Sequence, residues 1–129
     1  MKRILFASFL LTAAYSISFV QPAAAQEANS VSAADLTTKA NQFDAQIIAG
    51  DVTAEKATWA QINNLLKAEL RITKGKIMSA ATPGDQATYI KLNQDQYKLY
   101  NTIWKLSKDL VTNRVALHDQ LKLFAATIN

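Results

Sequence analysis

His118 is the only histidine of this 129-residue chain, in the stretch VTNRVALHDQLKLF. A histidine suits haem or metal ligation and proton transfer. A zinc or di-iron centre, however, needs several imidazole and carboxylate ligands converging at i, i+3 or i+4. No such set stands around His118. Asp109 lies about two and a half helical turns before it, too far for a hydrogen bond along one helix. Asp109 and Asp119, the nearest carboxylate pair in this stretch, are ten residues apart. There is no cysteine for thiolate chemistry, and no serine sits in a strained elbow motif. Neither an enzyme nor a resident cofactor or metal is expected, and His118 reads as a polar residue at the edge of a packed helix.

The basic residues form the constellation that stands out. Lys67, Arg71 and Lys74 follow one another at i, i+4 and i+7. Lys91, Lys98 and Lys105 recur every seven residues, interleaved with Tyr97, Tyr100 and Trp104. Antiparallel packing of two helices is expected to bring the rows onto neighbouring surfaces, as a cationic strip with aromatic edges. Tyr97 and Trp104 are themselves expected in the core. Such a strip suits an anionic lipid or an acidic polymer, and no nucleic acid is expected as a partner.

These side chains need helices to position them, and the pattern supplies helices alone. Leu36, Ala40, Phe43 and Ile47 recur at spacings of 4, 3 and 4, behind Ser32 as N-cap. Gly50 ends that helix. Thr53 is the expected N-cap of the next, with Val52 and Ala57 as a hydrophobic staple. Its stripe is Trp59, Ile62, Leu66, Leu70, Thr73 and Ile77, and fraying is expected from Gly75. TPGD at 82–85 starts a further helix, with Thr82 as N-cap and Pro83 in the first helical position.

From Leu92 an apolar seam runs through Leu99, Ile103, Leu106, Leu110, Leu117, Leu121, Phe124 and Ile128, interrupted by Gln96 and Asn113. No period-2 alternation suggests a strand. The expected fold is all-α: a small antiparallel bundle of three helices with a long C-terminal helix, or four if that helix breaks near residue 112. The unbroken helix is favoured, because the 4–3 alternation holds its phase through Leu117. Helices of about 17, 26 and 44 residues leave the seam beyond Leu110 without cover. Either the chain folds back as a fourth helix or a second copy, in a homo-oligomer, covers the overhang.

NRVALH, together with ADL at 34–36, resembles the four-helix periplasmic b-type haem cytochromes, in which a histidine of the last helix is an axial ligand. The resemblance covers under a tenth of the chain. It implies a haem-binding four-helix protein with His118 as ligand. The axial methionine of that family falls near Ala40 here, and the one methionine after the first residue is Met78.

The chain opens with Lys2 and Arg3, an uncharged apolar run from Ile4 to Val20, Pro22, and then Ala23-Ala24-Ala25. This is the layout of a secretory signal peptide. Cleavage after Ala25 is expected, giving a periplasmic or secreted protein that starts at Gln26. Residues 26–31 then form a short polar lead, and 32–129 a single domain. The precursor carries 14 basic and 10 acidic residues. Loss of Lys2 and Arg3 leaves 12 against 10 and a net charge near +2. With no cysteine there are no disulfides, so one core of roughly 100 residues supplies the stability.

Overall fold

The computed structural model describes residues 30–128, and the expected signal segment and cleavage site lie outside them. The described chain is four α-helices: α1 (Ala33–Ala49), α2 (Val52–Ser79), α3 (Pro83–Leu106) and α4 (Leu110–Ala126). Each packs on two neighbours, α1 on α2, α2 on α3, α3 on α4 and α4 back on α1. Strands are absent among the described residues.

Helix α1 follows its sequence closely. The Ser32 hydroxyl accepts the amide of Asp35 at 3.1 Å, and Leu36, Ala40, Phe43 and Ile47 are all buried. Gly50 adopts a left-handed φ of 72° and donates back to the last turn, a conformation glycine reaches without a Cβ penalty. Asp51, not Thr53, caps α2, its Oδ1 accepting the Ala54 amide at 3.1 Å. A carboxylate there also complements the positive end of the helix dipole. Val52 consequently lies inside the helix, exposed, and forms no staple. Nor does α2 fray at Gly75: it runs on to Ser79, whose hydroxyl donates to the Gly75 carbonyl.

The long C-terminal helix does not exist as one element. It breaks at Ser107–Asp109, one turn before the expected place, and the chain reverses into α4. Asp109 Oδ1 accepts the Thr112 amide at 3.2 Å and starts the new helix. Asn113 Nδ2 reaches back to donate to the Leu106 carbonyl at 3.1 Å, a group at the end of α3 that also accepts the Asp109 amide at 3.3 Å. The seam survives because both helices turn the same residues inward: Ile103, Leu117, Leu121, Phe124 and Ile128 are buried. The apolar stripe beyond Leu110 is thus covered by the chain's own first helix.

Asn113→Leu is therefore expected to lower the melting temperature, where an unbroken helix would have gained from it. The lost bond is worth ~1 kcal/mol, or roughly 4–8 °C in a domain of this size. Thermal unfolding followed by circular dichroism checks the sign, and a rise would argue against the capping role of the amide.

The helices differ in length, and the difference has a location. Gln96 Nε2 donates to Thr127 Oγ1 at 3.0 Å and to Glu69 Oε2 at 3.1 Å. Those bonds set the end of α4 level with Glu69 and Gln96. Beyond that level α2 and α3 continue alone to their turn, for roughly 15 Å at 1.5 Å per residue. Among residues 74–95 none is fully buried.

Candidate functional site

His118 lies on α4 facing α1, where its Nε2 meets Asn41 Oδ1 at 2.7 Å. An amide oxygen only accepts, so Nε2 carries the hydrogen. One turn earlier Arg114 pairs with Asp44 at 2.7 Å. The two contacts run antiparallel along the α1–α4 seam and tie its edge. The adjoining hollow is lined by Ala40, Phe43, Ile47, Leu117 and Leu121 as well as by Asp44, Arg114 and His118.

These residues do not fit a haem. The hollow has no room for even a water-sized sphere, whereas ordinary ligand sites hold roughly 300–1,000 Å³. Ala40 stands where the resemblance calls for methionine, and Met78 projects at the far turn of the α2–α3 hairpin, 82% exposed. Among the described residues no group of three or more His, Cys, Asp or Glu converges to hold a metal ion.

The cationic rows are both exposed, but they do not form one strip. Lys67, Arg71 and Lys74 of α2 share a solvent-open hollow of about 330 Å³ with Leu70, Tyr97 and Tyr100. None of the three cations has an acidic partner among the described residues. Tyr100 is held in place by donating its hydroxyl to Asn63 Oδ1 at 3.2 Å. Asn93 Nδ2 donates to the Leu70 carbonyl and joins the same two helices one level further along.

Lys91, Lys98 and Lys105 occupy a different flank of α3. At about 100° per residue, steps of seven keep them within about 40° of one line, roughly 100° round from Tyr97 and Trp104. Lys91 pairs with Asp95 at 3.0 Å in a separate hollow lined by Ala87, Thr88 and Leu92. The aromatic residues are displaced from the core as well. Tyr97 is 45% and Trp104 46% exposed, because the seam through Gln96 and Ile103 leaves both on the outer side. The Lys108 ammonium stands 5.0 Å from the centre of the Trp104 ring, a cation–π distance.

Two features escaped the sequence reading. Glu69 is buried within α2 and accepts from Thr73 Oγ1 at 3.3 Å and from Gln96 Nε2. Its signal was position, since it falls on the same face as Ile62, Leu66 and Thr73. The other is a hollow of about 190 Å³ at the opposite end of the bundle, lined by Val52, Glu55, Lys56, Trp59, Ser107 and Leu110. It exists only because α3 ends at Ser107. No protein family, no curated protein sequence and no solved structure matches this chain.

Proposed function

We propose that this is an exported protein that works by binding, without catalysis, and that its ligand is an anionic component of the cell envelope. One observation carries the reading: Lys67, Arg71 and Lys74 converge with the Tyr97 and Tyr100 side chains on one open surface, with no carboxylate to neutralise them. Three uncompensated cations raise the local potential and concentrate anions, all the more in an open hollow backed by a low-dielectric bundle. The tyrosine rings add apolar area at its edge, and Tyr97 adds a hydroxyl donor.

The test is retention of the protein on anionic ligands at low salt. Vesicles containing phosphatidylglycerol and immobilised polyphosphate are the anionic probes, and phosphatidylcholine vesicles the neutral control. Binding to an anionic probe that weakens steeply with added salt is the expected result. Failure to bind either anionic probe at low salt ends the reading. Export is tested separately: mass spectrometry of the expressed protein should find a chain that begins at Gln26. Met1 retained in a membrane fraction would reverse that part.

A further inference from the structure

We propose that the outer face of the α2–α3 hairpin is a docking surface for an anionic lipid bilayer, which it meets lying flat. This rests on the reading that the face takes anionic ligands and names the ligand as a membrane. On α2, Lys67, Arg71, Lys74 and Met78 follow at steps of 4, 3 and 4, so they form one line. All four are exposed. On α3, Tyr97 and Trp104 form the neighbouring line, with rings about half exposed. Helices α1 and α4 pack behind the hairpin and leave this side open.

The carboxylates of the two helices all lie elsewhere. Glu55 lines the hollow beside Trp59, Glu69 is buried, and Asp95 is paired with Lys91. Asp85 sits in the first turn of α3, about 120° round from Tyr97. The face is therefore free of carboxylate. That removes the charges that anionic headgroups would repel.

The aromatic and apolar members favour a bilayer over a soluble polymer. A polyanion needs cations, and gains little from half-exposed tyrosine and tryptophan or from Met78 at 82% exposure. At a headgroup boundary the same side chains leave water, while lysine and arginine stay at the phosphates. No helix among the described residues is long and apolar enough to cross a membrane, and the contact proposed is one on the bilayer surface.

The experiment uses Trp104 as its own reporter. The chain holds two tryptophans, and Trp59→Phe leaves Trp104 alone while keeping a ring against Phe43. Vesicles of equal parts phosphatidylglycerol and phosphatidylethanolamine are expected to shift Trp104 emission to the blue and to shield it from iodide. Co-sedimentation of the parent protein gives an independent measure of binding. In that assay Lys67→Gln/Arg71→Gln/Lys74→Gln should weaken binding by about 100-fold, at roughly fivefold for each cation. Lys91→Gln/Lys98→Gln/Lys105→Gln, on the other flank, should weaken it by less than about tenfold.

Sedimentation with Trp104 still open to iodide would place the contact on another face and overturn the proposal. A greater loss from the second triple variant would do the same. Retention on polyphosphate without binding to vesicles would also overturn it, yet leave the anionic-ligand reading standing. Binding to neither probe would remove both.

Discussion

Gln96→Leu is expected to lower the melting temperature by on the order of 10 °C, although leucine matches the seam into which it is placed. The Gln96 side-chain amide is the donor that Glu69 Oε2 receives from across the helix interface, and it also serves Thr127 Oγ1. With leucine there, a buried carboxylate keeps only the Thr73 hydroxyl on that oxygen. Leaving a buried acceptor short costs ~1–3 kcal/mol, and more when it is charged. Part of the cost is offset, because Gln96 Oε1 is already buried without a partner. Glu69→Leu/Gln96→Leu should then melt at or above the parent, as replacing a buried polar pair by apolar side chains removes both desolvation penalties. A double variant that melts below Gln96→Leu would show that the network contributes more than its removal relieves.

Phe124→Ala should be the most damaging single truncation in α4, while Leu123→Ala beside it should pass almost unnoticed. Phe124 is fully buried and Leu123 is 52% exposed. Emptying a phenylalanine site in a packed core costs ~3–5 kcal/mol. In a domain of about 100 residues that is a loss of roughly 12–40 °C. Chemical denaturation of both variants measures it directly, with the denaturant dependence expected to stay constant. Similar losses at the two positions would mean that α4 is rotated from the orientation seen here.

Most of the inward residues were legible in the sequence, and the chain reversal was legible only as one of two alternatives. Leu36, Ala40, Phe43 and Ile47 are spaced for one face of a helix, and each is buried. The same spacing misled beyond Leu92. Leu106 and Leu110 stand four apart across the turn, so the 4–3 alternation passes through a reversal without a lost step. Periodicity records which residues face inward and is silent about direction. The turn at Ser107–Asp109 has neither glycine nor proline to mark it; its signals were the Asp109 cap and the overhang that an unbroken helix would have left. In the candidate site, the spacing of Lys67, Arg71 and Lys74 was enough to place them together. The separation of Lys91, Lys98 and Lys105 from the aromatic line was present in the same numbering. It becomes visible only once the seam fixes which side of α3 is buried.

The unequal helix lengths divide the hairpin into parts that should open at different costs. Below Glu69 and Gln96, an amide in α2 or α3 is protected by a four-helix cross-section, and Ile62 and Leu66 sit at its centre. Beyond that level each helix has one neighbour, and its contacts are those across a single pair, such as the Lys76 ammonium over the Tyr89 ring at 5.8 Å. Local opening there gives up little buried apolar area. Amide protons of residues 77–91 should therefore exchange with solvent at free energies well below that of global unfolding. Those around Ile62 and Leu66 should wait for the whole bundle to come apart.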